Sequence, residues 1–230
     1  MKKNLSKLVL TLAAVCSFAL CTAAQGVNIT IDGESMQAFG RDYNHMKGSP
    51  FLFEDWVKGT VKLTNGIVYE NVSLMYDQVK DQLIFSTEDG KSFSFMYPVY
   101  EFTLQKEITS TVTDERKFRS GFPPVDGASA GAFYEVLNDG ETILLKRASK
   151  AIVEERPDGS IVKEKLIKES VKYYIASPDK MVKINKSKKS ILAAFEAPKL
   201  PQVETYIKTN RLSLKEEGHL IKVLAYYNTL

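Results

Sequence analysis

Beyond residue 24 the chain has no cysteine, because both of its cysteines, Cys16 and Cys21, fall in the opening segment. Disulfides are therefore excluded as a source of stability, which must come from an ordinary hydrophobic core. Histidine is almost as scarce. His45 and His219 are the only two, and neither sits in an H-E-x-x-H or comparable spacing, so no zinc site is expected. No stretch after the opening segment is long and apolar enough to cross a membrane as a helix, and neither an internal repeat nor a low-complexity tract is present. An excess of one charge is missing too. The 31 basic and 28 acidic residues give a formal net charge of +3, but the opening segment holds three lysines and no acid, so the remainder balances. A near-neutral chain lacks the electrostatic footprint of a nucleic-acid binder.

What is present begins with that segment. In "MKKNLSKLVLTLAAVCSFALCTAA", Lys2, Lys3 and Lys7 precede an apolar run from Leu8 to Leu20 and a small-residue cleavage site at Thr22-Ala23-Ala24. This is the pattern of a secretory signal peptide over residues 1–24. Val15 and Leu20, which precede the two cysteines, are too bulky for a lipid-attachment box. The expected location is periplasmic or extracellular, with outer-membrane association and peripheral membrane contact left open.

The middle of the chain alternates with period two. Val57, Gly59, Val61 and Leu63 share one strand face against Lys58, Thr60, Lys62 and Thr64. Asn65-Gly66 supplies the positive φ angles of a tight turn, and Ile67 to Leu74 returns. A second hairpin joins Gln82–Ser86 to Ser92–Met96 through Asp89-Gly90, with Phe93, Phe95 and Tyr97 on one face. Two successive hairpins argue for an antiparallel meander. Further strands are expected at Val99–Leu104 and Thr109–Thr113. The Pro-Pro run Ser120–Gly131 is the clearest loop and divides the β region into two halves. After it come Ala132–Leu137, the turn Asn138-Asp139-Gly140, and Thr142–Val153; a turn at Pro157-Asp158-Gly159 then leads into Ile161–Ala176. The alternation slips at Leu166-Ile167, which fits a β-bulge or a helix over Glu164–Val171.

Beyond Pro178 the pattern becomes helical, with helices expected at 187–195, 201–210 and 213–229. Pro201 suits a first turn, Ser213 with Glu216 forms a capping box, and Leu220, Val223, Leu224 and Tyr227 make an apolar stripe. The fold class is α+β: a β-rich domain over 25–178, mainly antiparallel sheet, followed by a small C-terminal helical segment over 179–230. The stretches "GSPFLFEDWVKGTVKLTNGIVYENVSLMYD" and "YIKTNRLSLKEEGHLIKVLAYYNTL" carry a resemblance to an uncharacterised family of exported β-rich proteins of Gram-negative bacteria with a C-terminal helical segment. The resemblance implies an envelope location and lends no activity.

Four constellations bear on chemistry. Gly127-Ala128-Ser129-Ala130-Gly131 matches G-x-S-x-G, but a Pro-Pro loop precedes it and a strand-like segment follows, so the nucleophile-elbow context fails on both sides. Asp126, Asp139 and Asp158 each neighbour a turn glycine, where turn geometry explains them without calcium. Glu54-Asp55 stands among Tyr43, His45, Phe51, Phe53 and Trp56, a texture suited to binding sugar, peptide or an apolar ligand; as strand neighbours the two acids would face opposite sides. The lysine-rich run Lys180–Lys189 suits either a solvated linker or an anionic membrane surface. The sequence therefore points to an exported non-enzymatic binding or structural module of the envelope, meeting an envelope protein or an apolar ligand through Tyr43, His45, Phe51, Phe53 and Trp56, with no catalytic residue, cofactor or metal assigned. The alternative is a hydrolase of envelope glycans or peptides working through Glu54, Asp55 or His45.

Overall fold

A computed structural model describes residues 43–230 except 157, 159–161 and 179. The expected signal peptide, residues 1–24, lies outside the described residues, and so does most of the expected Pro157-Asp158-Gly159 turn.

The alternating stretch forms the expected hairpin. Strand β1 (Met46–Lys47) precedes β2 (Val57–Leu63), whose Val57, Val61 and Leu63 are buried while Lys58 and Lys62 face water. Of the turn residues only Gly66 has positive φ, +88°. Asn65 contributes instead through its side chain, which accepts the Ile67 N–H. Strand β3 (Val68–Asp77) slips by one residue against β2 between Gly59 and Val61, and Asn71 there takes φ +56°, the mark of a β-bulge. Strands β4 (Gln82–Ser86) and β5 (Ser92–Ser94) pair around Gly90. Phe93 is buried, but Tyr97 is exposed, because the strand ends at Ser94 and the chain bends toward Pro98.

Strand β6 (Val99–Thr109) pairs with β7 (Val112–Arg119). The strand expected at Thr109–Thr113 is instead the tip of this hairpin. The Thr109 hydroxyl oxygen accepts the N–H groups of Thr111 and Val112, so a side-chain turn overrides the β-branched composition. Across the Ser120–Gly131 loop, β8 (Tyr134–Asn138) pairs directly with β7, and the sheet runs on without a break. Strands β9 (Ile143–Glu155) and β10 (Glu164–Ser177) then pair in one constant register. Neither the β-bulge at Leu166-Ile167 nor the helix over Glu164–Val171 is present. The apparent slip arises because these neighbours point to opposite faces and both are half-buried; Ile167 lies under Gly48, where an added Cβ would stand 3.2 Å from the Ile167 carbonyl oxygen.

The lysine-rich run is not a linker in its first half: β11 (Lys180–Ile184) pairs with β10. Three of its lysines also have partners. Lys183 meets Asp126 at 2.8 Å, Lys186 lies over the Tyr173 ring and Lys188 meets Glu204. Among the described residues the fold is one 11-stranded sheet in the order β1-β10-β9-β8-β7-β6-β2-β3-β4-β5, with β11 also on β10, antiparallel throughout except for β1 against β10. The sheet curls on itself. Tyr76 on β3 reaches the Phe118 ring three strands away, centroids 5.2 Å apart, and Gln78 exchanges hydrogen bonds with Ala148 and Lys150 on β9.

Inside the curl Val61, Leu74, Phe85, Phe102, Phe118 and Phe133 form the first core. On the other half of the sheet, period two sends Leu144 and Ile175 toward the helices and Leu145, Tyr174 and Ala176 toward the loop that carries Phe122. The helices are α1 (Lys188–Leu192), capped by the Ser187 hydroxyl, α2 (Leu200–Thr209), with Pro201 in its first turn, and α3 (Glu217–Tyr227). Leu220, Val223, Leu224 and Tyr227 are all buried. The capping box is absent: α3 starts at Glu217, no side chain caps it, and the Ser213 N–H donates to His219 Nδ1. Residues 213–216 turn so that Leu214 enters the core, and the helix begins only afterwards.

Asn228 joins helix to sheet at the far end of α3. Its amide nitrogen donates to the Thr142 carbonyl and to Asn138 Oδ1, and its oxygen accepts the Thr142 N–H at 3.0 Å. Asn228→Ala leaves a partly buried strand end without partners, a loss of about 1–3 kcal/mol. A chemical-denaturation midpoint lowered at unchanged slope is the expected result.

Candidate functional site

The segment from Tyr43 to Phe53 bridges two distant parts of the sheet. Met46 and Lys47 pair with β10, while Phe51 bridges to Asp77 and the Leu52 N–H donates to the Tyr76 carbonyl on β3. Side chains reinforce both ends. The Tyr43 hydroxyl donates to Asp77 Oδ2 at 2.6 Å, its ring meets Phe51 edge-on, and Lys150 Nζ donates to the Phe51 carbonyl at 2.6 Å. Burial holds the Lys150 ammonium below its ordinary pKa. Asp77 is itself fully buried, and its other oxygen accepts the N–H groups of Val79 and Lys80 at 2.8 and 2.9 Å.

The structure divides the aromatic set. Tyr43 and Phe51 touch each other. Phe53 turns toward the first core, its ring covered by Lys106 and Arg116 at 5.1 and 5.5 Å. Trp56 is 38% exposed. His45, at φ +70°, stands apart in an open hollow with Asn44, Met46, Lys47 and residues 163–165, where Lys47 and Glu164 are ion-paired. Glu54 and Asp55 lie on an exposed bend rather than a strand, so the opposite-face argument does not apply to them. Ser129 is exposed in its loop, with turns around it in place of a flanking strand and helix. Among the described residues no group of three or more His, Cys, Asp or Glu is placed to hold a metal ion.

Two polar clusters escaped sequence reading. In the first, Asp81, at φ +55°, accepts the Tyr76 hydroxyl at 2.5 Å and pairs with Arg147 at 3.0 Å. Burial, with the Asp81 charge beside it, pushes the Tyr76 phenol well above its ordinary pKa, so it remains a donor. The second joins sheet to α3. Lys146 Nζ lies 3.0 Å from Glu217 and 3.7 Å from Glu135, Arg116 approaches Glu135 at 4.0 Å, and the Tyr173 hydroxyl donates to Glu217 at 2.6 Å. The two acids diverge. Burial raises Glu135 against the pull of Lys146 and Arg116; at Glu217 burial is outweighed by the hydrogen bonds from Tyr173 and Lys146, and the carboxyl is held low. These residues are scattered from Arg116 to Glu217 in sequence and carry no motif; the sheet register β7-β8-β9-β10 and the packing of α3 against the sheet bring them together.

Glu135 supports a test with a definite sign. Its folded-state pKa is raised above the unfolded one, so its contribution to stability is fully present at low pH and is lost as pH rises through the folded value. Glu135→Gln removes that cost. The variant is expected to melt above wild type at pH 7, with the difference closing on acidification toward about pH 4, where the unfolded carboxyl also takes up its proton.

No family model matches this chain, and no curated protein or solved structure matches it either. The fold itself is plain: an α+β, β-rich protein built on a mostly antiparallel sheet with a small helical segment near the C-terminus. Among the described residues no helix is long and apolar enough to cross a membrane.

Proposed function

We propose that this chain is an exported protein of the Gram-negative cell envelope, of the β-rich kind its sequence resembles, and that it works as a binding or structural module without catalysing a reaction. The observation that carries this reading is the dispersal of Glu54, Asp55 and His45: the two acids stand on an exposed bend and the histidine in a separate open hollow. A glycoside- or peptide-cleaving site needs its acid, base and substrate face gathered around one cleft. Tyr43 and Phe51 are occupied in holding the fold, which leaves Trp56 as the aromatic of the set most open to a partner.

Native mass spectrometry of the chain from Gln25 to Leu230, purified gently from an exported preparation, tests the reading directly. A bound mass or a co-purifying envelope component that Trp56→Ala releases is the expected result. Retention of every partner by a folded Trp56→Ala variant removes this surface from the proposal. A second reading, hydrolysis of envelope glycans or peptides, has Glu135 and Glu217 in its favour, since paired carboxyls driven to opposite pKa shifts resemble an acid and base pair. Turnover of such a substrate, abolished by Glu135→Gln in a folded protein, would establish it in place of the first.

A further inference from the structure

Helices α2 and α3 lie side by side with Tyr206 and Tyr226 stacked between them, ring centroids 4.1 Å apart and planes within 8° of parallel. The inward faces of both helices are consumed by the core, through Val203 and Ile207 on one and Leu220, Val223 and Leu224 on the other. The outward side is a shallow groove of about 440 Å³, in which Gln202, Thr205, Thr209 and Asn210 surround the two rings. Every residue lining it is uncharged, although charged residues make up 26% of the chain.

The hydrogen-bonding capacity of the groove is largely unspent. Neither phenol hydroxyl makes a hydrogen bond among the described residues. Thr205 donates its hydroxyl to the Pro201 carbonyl and Asn210 its amide nitrogen to the Tyr206 carbonyl, which leaves the oxygens of both side chains free to accept. A ligand matched to this surface must be neutral, since no countercharge awaits an ion. It must offer hydroxyls or amides to the groove walls together with an apolar C–H face to lie on a phenol ring. A lipid chain meets neither requirement in so open a site. A second protein copy fits no better, since the lining is far smaller than the roughly 20–30 residues a side of a stable interface.

We propose that the α2–α3 groove binds a neutral oligosaccharide, with the Tyr206–Tyr226 pair as the stacking platform and Gln202 and Asn210 as hydrogen-bonding partners. This goes beyond the envelope-module reading, which leaves the ligand unnamed, and it does not involve Trp56. The chain from Gln25 onward contains every described residue, and its amide resonances can be followed by NMR while cellotetraose, maltotetraose or triacetylchitotriose is added.

At least one sugar is expected to give saturable shifts confined to residues 201–210 and 222–228, with a dissociation constant on the order of 1 mM. Tyr206→Ala should weaken that binding about tenfold or more, a loss of about 1.4 kcal/mol. Gln202→Glu, an exposed change that leaves the core untouched, should weaken it as well and covers the case in which the tyrosine variant fails to fold. Absence of saturable shifts from all three sugars up to about 50 mM overturns the proposal. So do shifts that survive Gln202→Glu unchanged, and so does concentration-dependent broadening of the groove resonances without sugar, which would mark the groove as a contact between copies. Failure here leaves the Trp56 test above unaffected.

Discussion

Gly59→Ala is expected to yield a protein that is largely insoluble or that melts far below wild type. A Cβ on Gly59 would stand 2.0 Å from the Thr103 carbonyl oxygen and 2.7 Å from Leu74 Cδ1. The first of these is backbone, held in β6 by the β2–β6 ladder, so no rotamer change relieves it. The strands must move apart at the middle of the first core, beside Val61 and Leu104. Overpacking that shifts backbone costs typically about 1–3 kcal/mol and occasionally more, and a contact this close to backbone belongs at the upper end, about 3 kcal/mol or more out of the 5–15 kcal/mol that folded proteins typically have in reserve. For a chain of this length about 3 kcal/mol corresponds to a melting temperature lower by about 6–12 °C.

Gly66 supplies the control. It has φ +88° and nothing within 4 Å of an added Cβ, so Gly66→Ala meets only backbone strain, about 1 kcal/mol. Gly59 does not share that positive φ; its requirement is space. Calorimetry on the pair separates the two reasons for which glycine occurs in this hairpin. Comparable melting temperatures for the two variants would mean that β2 and β6 lie farther apart in solution than the structure gives.

Much of this architecture was legible because it follows local rules. Alternation at Val57–Leu63 gave the right face and the right strand, and the stripe Leu220, Val223, Leu224, Tyr227 gave the right side of α3. Each misreading has a physical cause. Thr109–Thr113 is rich in strand-forming residues yet forms a tip, because one threonine hydroxyl satisfies two backbone donors. Lys180–Ile184 reads as solvated linker yet forms a strand, because β10 offers an edge and Asp126 a countercharge; that aspartate, hydrogen-bonded first by Lys183 and then by Lys172, is held at a pKa of about 2. Ser213 and Glu216 have the spacing of a cap, but burying Leu214 requires a turn there. At Thr109 a local side-chain turn outweighed strand propensity, and in the other two cases tertiary contacts distant in sequence did. The aromatic cluster around Trp56 illustrates the limit for function. Proximity in sequence suggested one surface, whereas the chain bends between Leu52 and Asp55 and sends Phe53 inward, Trp56 outward and Tyr43 back to Asp77.

Asp77→Ala tests whether that last contact is structural. The substitution strips an acceptor from the Tyr43 hydroxyl and from the Val79 and Lys80 N–H groups, all converging on a carboxylate with no solvent exposure. Each orphaned donor costs about 1–3 kcal/mol when buried, but Lys80 is exposed and water can reach its amide, so the total expected is about 3–4 kcal/mol. Tyr43→Phe removes only the phenol and should cost about 1–2 kcal/mol. In the double variant the Tyr43 change should add almost nothing, because its acceptor has already gone, giving a coupling energy of about 1–2 kcal/mol. Hydrogen exchange supplies the spatial part of the test. If residues 43–53 tie β10 to β3, Asp77→Ala should speed exchange at Leu52 and Gln78, whose N–H groups join the two ends, and at the short parallel pairing of Met46 and Lys47 with β10, while α3 stays protected. Asp77→Asn separates charge from acceptor geometry: its Oδ1 still serves Val79 and Lys80, and its amide turns the Tyr43 hydroxyl from donor to acceptor, so most of the stability should return. An Asp77→Ala protein of undiminished stability that had lost a binding partner would reverse the assignment, making Tyr43 a contact residue and the segment a recognition surface.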